Sequence, residues 1–279
     1  MPEFPEVHTI TNDLKKYITG FKINKIILNP KYTLPNLKNK TIKNVKQVAK
    51  NIVLELDSEQ FLVLHLAMTG RILLRKDRNI NDKWVKITLE ISKNNKTYYL
   101  KFSDMREFGK VQLLDKKQFK ELTQKYGPTP LDDSLTSKEF LRIIRSKNTN
   151  IKNILLDQRL ISGIGNIYAT DALFLAKIDP KTKTKNINLE MTEKLLKNLR
   201  LILEEAIKNR GSTLPDGMYV DIFGKPGLYQ KWFKIYMKHK CPECGGKVEY
   251  FKLNGRGTYW CPHCQPTHKA SAGKSIQLL

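Results

Sequence analysis

The strongest constraint on this chain is the placement of its cysteines. There are four, Cys241, Cys244, Cys261 and Cys264, in two Cys-x-x-Cys pairs with sixteen residues between the pairs. Each pair has the spacing of a tight turn that aims two thiolates at one point, and two such turns make the tetrahedral four-thiolate site that zinc favours. Four thiolates fill every position, so one structural Zn2+ is expected, holding a hairpin for which Lys247 to Phe251 and Thr258 to Trp260 read as strands. A redox pair would come singly near a βαβ pattern, and disulfides are disfavoured in the cytosol. The hairpin carries Arg256 between Gly255 and Gly257. Small neighbours let a phosphate approach that guanidinium, although the same residue also reads as a solvated turn arginine.

The charge balance bears on the partner. The 279 residues include 50 Lys and Arg against 27 Asp and Glu, a formal charge of +23 with histidine neutral. That surplus suits a polyanion such as nucleic acid, and an acidic protein partner is also compatible with it. Forty of the basic residues are Lys and ten are Arg. Positions that keep Arg against this bias, Arg106 and Arg256 among them, are therefore candidates for the planar fork. Hydrophobic residues at 40% and charged ones at 28% are globular usage, which excludes a disordered chain. No apolar run approaches the roughly 18 residues of a membrane span. The first nine residues contain Glu3 and Glu6 and lack a basic region before an apolar core, so they do not read as a secretory signal. A cytoplasmic protein without membrane association is expected.

Periodicity divides the chain. Pro5, Glu6 and the series Val7, Ile10, Leu14 and Ile18, stopped by Gly20, predict an N-terminal helix. The chain then changes to short β-branched and aromatic runs: Ile23 to Leu28, Val45 to Leu56, Phe61 to Leu66, Trp84 to Ile91, Thr97 to Phe102 and Val111 to Leu114. Such spacing predicts an antiparallel sandwich or barrel flanked by the helix. Tyr126 to Pro130 is a Pro- and Gly-broken linker. Beyond it, the capping-box spacing of Thr136 and Glu139 opens a helical region, with further helices at about Ile151 to Leu156, Asn166 to Ala176 and Leu189 to Lys208. Ser162 to Asn166 is a glycine turn that opens a helix and presents backbone N–H groups, a geometry found with and without a bound anion. The expected fold is α+β, with a β-sandwich domain at 1–125, a linker at 126–131, a helical domain at 132–230, a zinc ribbon at 231–265 and a tail at 266–279.

The start, Met1-Pro2-Glu3-Phe4-Pro5-Glu6-Val7, is unusual. A small second residue favours removal of Met1, after which Pro2 offers a secondary amine beside a carboxylate. An α-amine with an ordinary pKa near 7.7 to 8.0 is about a tenth unprotonated at pH 7, enough to attack an aldehyde-like carbon. Taken alone, Pro2 also reads as a structural proline.

Taken with Ala49-Lys50, His65-Leu66-Ala67-Met68-Thr69-Gly70, Asp104-Met105-Arg106-Glu107-Phe108-Gly109, Gly163-Ile164-Gly165-Asn166-Ile167-Tyr168-Ala169 and the cysteine pairs, all in order, the chain resembles bacterial formamidopyrimidine-DNA glycosylase up to Gln265. The resemblance implies a helix-flanked β-sandwich, a helix-two-turn-helix domain and a zinc ribbon, with double-stranded damaged DNA in the cleft between the halves and the enzyme acting as a monomer. It implies that Pro2 attacks C1′ of a damaged nucleotide, that Glu3 works as acid and base, and that Lys50 assists at the damaged nucleotide and its phosphate. Met68, Arg106 and Phe108 match the side chains that fill the void left by a flipped nucleotide, which is costly to extrude. His65, Asn166 and Arg256 match phosphate contacts, Lys152 a contact near the lesion, and Glu6 a lesion-pocket residue. The segment Thr213 to Tyr229 matches a loop that closes over the flipped base and is expected to move. Glu107, Met105 and Pro215 depart from the family pattern. The rival readings are an endonuclease VIII-like enzyme for oxidised pyrimidines, against which Phe4 argues, and a noncatalytic zinc-ribbon DNA-binding protein.

Overall fold

The alternation of apolar residues resolves into two stacked four-stranded sheets in a computed structural model that describes residues 2–57 and 59–266. One sheet has the order β1-β6-β7-β5, built from β1 (Lys22–Leu28), β5 (Gly70–Arg75), β6 (Val85–Lys93) and β7 (Lys96–Asp104). The other has the order β2-β3-β4-β8, from β2 (Ile42–Val48), β3 (Asn51–Leu56), β4 (Phe61–His65) and β8 (Lys110–Leu114). Every pairing is antiparallel. Because side chains alternate across a strand, Ile72, Leu89 and Leu100 of the first sheet meet Val45, Ile52 and Leu64 of the second in one buried cluster. Helix α1 (Phe4–Ile18) packs on β2 and β3 and adds Val7, Ile10, Leu14 and Ile18 to that cluster. Each fully buried aliphatic side chain contributes about 1.5–3 kcal/mol before entropy is counted, so the helix that begins at Phe4 is held along its length.

Three features of this half differ from the expected pattern. The run Val45 to Leu56 is two strands, because the chain reverses at Ala49 and Lys50, with Ala49 at φ +53°. Neither turn residue is a Gly, Asn or Pro. Strand β5 begins at Gly70, where no turn cluster separates it from β4. Helix α2 (Lys116–Gln124), capped by Asp115 accepting from the Gln118 N–H at 2.8 Å, covers the outer face of the second sheet, with Phe119 stacked on Phe61 at 4.1 Å. Cover on that outer face explains why β3 and β4 read as continuous rather than alternating apolar runs.

The chain forms two compact units, Met1–Gly127 with Leu203–Trp232, and Pro128–Ile202 with the residues from Phe233 onward. The second contains α3 (Ser137–Arg145), α4 (Ile151–Leu156), α5 (Asn166–Leu175) and the start of α6 (Leu189–Lys208). It also holds the hairpin β9 (Glu249–Leu253) and β10 (Arg256–Trp260), which turns at Asn254 and Gly255, both at positive φ. Thr136 caps α3 by accepting the Glu139 N–H at 3.2 Å, as its spacing predicts. Asp171 of α5 is fully buried and accepts the N–H groups of Lys234, Ile235 and Tyr236 at 2.8–3.0 Å, which ties the approach to the hairpin onto the helix. Burial pushes this carboxyl above the usual range, and the three N–H donors oppose that rise. Met1 and the tail beyond Pro266 lie outside the described residues.

Residues Leu203–Trp232 belong to the first unit rather than continuing the helical region to residue 230, and hydrogen bonds account for this. Leu74 donates its N–H to the Ile222 carbonyl at 2.8 Å, and Arg71 Nε donates to the Met218 carbonyl at 3.0 Å. Arg210 bridges Asp13 of α1 and buried Asp221. The loop Thr213 to Tyr229, expected to move, is thus tethered at its start, middle and end, with Thr213 Oγ1 accepting the Gly227 N–H at 2.8 Å. Gly211, at φ +76°, has no room for a side chain, since a Cβ there would lie 2.7 Å from Glu6 Oε1. Gly211→Ala is expected to lower stability by about 1–3 kcal/mol through strain, read as a fall in the urea midpoint. A midpoint equal to that of the wild type would show that this junction tolerates rearrangement.

Candidate active site and nucleic-acid interface

The N-terminal residues are fixed by a buried carboxylate. Glu3 is the N-cap of α1 and only 2% exposed, and its backbone N–H donates to Glu6 Oε2 at 2.7 Å. The other oxygen of Glu6 accepts the Ser212 N–H at 2.7 Å. Glu6 therefore spans the start of the helix and the returning segment, with Pro2 one residue before the cap. Two backbone donors on one buried carboxylate are the pairing that makes such burial tolerable.

A second clasp brings the Ala49–Lys50 turn to the same end of α1. The Gln47 amide Nε2 donates to the carbonyls of Phe4 at 3.2 Å and Ala49 at 2.8 Å. Pro2, Glu3 and Lys50 are thereby held on neighbouring backbone segments, and Lys50 is buried at 8% exposure. From the far side of the turn, Asn51 reaches Tyr126 Oη at 2.9 Å, and His65 Nδ1 lies 3.0 Å from Asn51 Oδ1. Burial, followed by the positive charges of Lys50 and Lys110, holds the His65 imidazole below its ordinary pKa. His65, Asn51, Tyr126, Lys110 and Phe108 line a cavity of about 410 Å³. Sequence reasoning missed Gln47 and Asn51. A polar residue facing inward beside a strand end is the only signal either leaves.

Met68, Arg106 and Phe108 converge although 38 residues separate the first two. Met68 is 41% and Phe108 55% exposed, an unusual display for large apolar side chains. Arg106 joins them, with Nη1 3.4 Å from Met68 Sδ and its guanidinium 4.8 Å from the Phe108 ring centre. The loop that carries them is organised by Asp104, which is fully buried. Its Oδ1 accepts the Thr69 hydroxyl and the Arg106 N–H, the latter at 3.2 Å, and its Oδ2 accepts the Gly109 N–H at 2.7 Å. Gly109 has no room for a side chain, because a Cβ would meet the Phe102 ring at 2.7 Å. Glu107, the acidic departure in this loop, takes φ +57° and pairs with Lys86 and, at 3.6 Å, with Lys31. The hydrogen bond from Lys86 and the charge of Lys31 hold its carboxyl below the usual range, so it stays ionised and its charge is offset locally.

In the second unit, the four Sγ atoms lie within 4.8 Å of one another, with Cys241 to Cys264 at 3.7 Å and Cys244 to Cys261 at 3.6 Å. A tetrahedron with Zn–S bonds of about 2.3 Å has edges of about 3.8 Å, so the donor set fits one structural zinc ion. Asn166 opens α5 and its Nδ2 donates to the Gly257 carbonyl at 2.9 Å. In the glycine turn, the Gly163 N–H is taken by Gln158 Oε1 at 2.9 Å, which leaves fewer donors there than an anion cradle would offer. Arg256 does not sit at the very tip but opens β10, paired with Leu253. Lys152, which matches a contact near the lesion, is 1% exposed, and its ammonium donates to Thr258 Oγ1 at 2.8 Å and to the Gly257 carbonyl at 3.2 Å.

Known proteins resemble the chain over nearly its whole length. Residues 1–111 match the family described as "Formamidopyrimidine-DNA glycosylase N-terminal domain", residues 126–216 the "Formamidopyrimidine-DNA glycosylase H2TH domain", and residues 238–267 the "Zinc finger found in FPG and IleRS". The formamidopyrimidine-DNA glycosylase of Chloroflexus aurantiacus is 34% identical over 278 residues, covering 96% of this chain and 98% of the relative. That of Legionella pneumophila strain Lens is 35% identical over 277 residues, covering 95% and 99%. Among solved structures, a Lactococcus lactis FPG mutant in complex with Fapy-dG-containing DNA superposes with a TM-score of 0.86 at 31% identity, over 95% of this chain and all of that one. The MutM (FPG) protein of Thermus thermophilus gives 0.84 at 32% identity, over 96% of this chain and all of that one. With its sandwich, helical region and four-thiolate hairpin in the same order along the sequence, the chain belongs to the formamidopyrimidine-DNA glycosylase family.

Proposed function

We propose that the chain excises oxidised purines, 8-oxoguanine and formamidopyrimidines, from duplex DNA as a cytoplasmic monomer, and then cleaves the strand at the abasic site. The observation that carries this reading is the convergence, within one unit, of Pro2 and Glu3 with the Lys50 turn, alongside the exposed Met68, Arg106 and Phe108 cluster. Once Met1 is removed, the Pro2 nitrogen is a secondary amine at the positive end of α1, where the helix dipole disfavours its protonated form. Its lone pair attacks C1′, the bond from C1′ to the base breaks, and the base leaves with a proton. Ring opening gives an iminium on Pro2. Loss of a C2′ proton then expels the 3′ phosphate, and a second elimination expels the 5′ phosphate, each electron pair ending on the leaving oxygen.

Glu3 carries protons at the sugar and so changes protonation state during the cycle. The ammonium of Lys50 stabilises the phosphate and developing negative charge. Met68 and Phe108 fill the stack and Arg106 meets the orphaned partner base with its fork, which offsets part of the cost of flipping. Glu6 sets the N-terminal wall of the lesion pocket, with Thr213 to Tyr229 closing over it. His65, Asn166 and Arg256 meet backbone phosphates. Zinc supplies no chemistry in this scheme and holds the hairpin that bears Arg256.

A duplex with one 8-oxoguanine tests the reading. The wild-type protein is expected to release the base and leave ends of both eliminations. Glu3→Gln should bind within a few-fold of wild type and lose about 10²–10⁴ in single-turnover rate. Wild-type inactivity on this duplex with activity on an oxidised pyrimidine would favour the endonuclease VIII-like alternative. Full activity of Glu3→Gln would remove the carboxylate from the mechanism.

The depressed imidazole of His65 gives a second test. Between its folded value and the unfolded value near 6.5, the unfolded chain binds more protons, so this group removes stability as pH falls through that window. At pH 7 the ring is neutral and offers one N–H. A phosphate placed against it favours the charged form. The ring is expected to titrate below about 6.5 in the free protein by NMR, and to move upward with duplex bound. A ring that titrates alike with and without DNA is not a phosphate contact.

A further inference from the structure

Lys152 is the least expected of the buried residues in the second unit. A buried ammonium is costly, and one is kept only where several acceptors meet it. Here two acceptors belong to the first residues of β10. Lys152 Nζ donates to Thr258 Oγ1 at 2.8 Å, and that hydroxyl, fully buried, donates onward to the Arg256 carbonyl at 3.0 Å. The Gly257 carbonyl between them accepts from Lys152 at 3.2 Å and from Asn166 Nδ2 at 2.9 Å. From the other side Tyr250 closes on Gly257, where a Cβ would lie 2.7 Å from the phenol oxygen. Three consecutive residues, Arg256, Gly257 and Thr258, are thus gripped from α4 and the start of α5.

Zinc does not reach this point. Cys261 follows the far end of β10, and at about 3.3 Å per residue Arg256 stands roughly 16 Å along the strand from it. We infer that Lys152 is a positioning residue: through Thr258 and Gly257 it sets the Arg256 backbone, so that the phosphate-facing end of the ribbon is aimed by α4 while the metal holds only the cysteine end. This rests on the reading above that Arg256 meets a phosphate, and it replaces a direct lesion contact for Lys152. It also joins Asn166 and Arg256 into one unit, since Asn166 donates to the carbonyl of Gly257, the residue that follows Arg256.

A double-mutant cycle on the full zinc-loaded chain tests it, with a duplex bearing a tetrahydrofuran abasic analogue as probe. Arg256→Ala is expected to weaken binding about tenfold and to lower the slope of log affinity against log salt by about 0.9, the loss of one phosphate contact. Lys152→Met should produce the same two changes with one zinc retained per chain, and the double variant should be no weaker than either single. Thr258→Val, which removes the relaying hydroxyl without changing volume, should move affinity and slope in the same direction, and it decides the matter if Lys152→Met does not fold. Losses that multiply to about a hundredfold in the double variant, or an unchanged slope in Lys152→Met and Thr258→Val, would overturn the inference while leaving the Arg256 contact standing. Loss of zinc from Lys152→Met and Thr258→Val would overturn it too, by making Lys152 a support of the whole ribbon. An Arg256→Ala variant that binds like wild type would remove the phosphate contact itself, and the inference with it.

Discussion

The buried carboxylate of Glu6 is the interaction on which the proposed chemistry depends. It accepts one backbone N–H from Glu3 and one from Ser212, and so joins the first described residues to a segment about two hundred positions later. Chain termini ordinarily fray because nothing repays the entropy of ordering them. Here Val7, Ile10, Leu14 and Ile18 of α1 are buried in the sandwich core, Gln47 holds the Phe4 carbonyl, and Glu6 closes the remaining freedom. A nucleophile at the end of a polypeptide can be rigid only under such conditions. Effective catalysis by position requires that rigidity.

The same economy governs the exposed cluster. Three large side chains stand in solvent because the backbone beneath them is fully committed, with both oxygens of Asp104 occupied by Thr69, Arg106 and Gly109. In the proposed reading, pre-ordering such a wedge on the free protein reduces what must be ordered when DNA is opened. Glu107 shows how an acid is accommodated beside the proposed DNA-facing cluster. Paired with Lys86 and Lys31, it leaves a local surplus of positive charge, so the departure from the family pattern alters the arrangement of charge without reversing its sign.

Much of the fold was legible because its signals are local. The cysteine spacing foretold the hairpin, the Thr136 and Glu139 pair foretold the start of α3, and the series from Val7 to Ile18 foretold α1. The turn at Ala49 and Lys50 was not legible as a hairpin, since its geometry is imposed by the pairing of β2 with β3 and by cover on both faces, with no residue in it that prefers positive φ. Helix α2 escaped for a related reason: its apolar residues complete the outer face of a sheet, and their purpose is visible only beside Phe61 and Val63. In the site, the motif residues were recognisable from the resemblance. The residues that aim them were not. Gln47 and Asn51 act through a backbone carbonyl and a side chain distant in sequence, Asp104 stood in a matched motif without a role, and Lys152 matched a lesion contact while its ammonium lies against the hairpin. The returning segment from Leu203 to Trp232 joins the first unit through hydrogen bonds to Leu74, Arg71 and Glu6, a partnership that composition does not encode.

The most direct measurement is to incubate the chain with a duplex containing an abasic site, reduce with borohydride, digest, and locate the sugar adduct by mass spectrometry. The expected result is a stable adduct on the nitrogen of Pro2, in a peptide that lacks Met1. An adduct on Lys50 or another lysine, or none from a preparation that binds the duplex, would contradict the proposed chemistry.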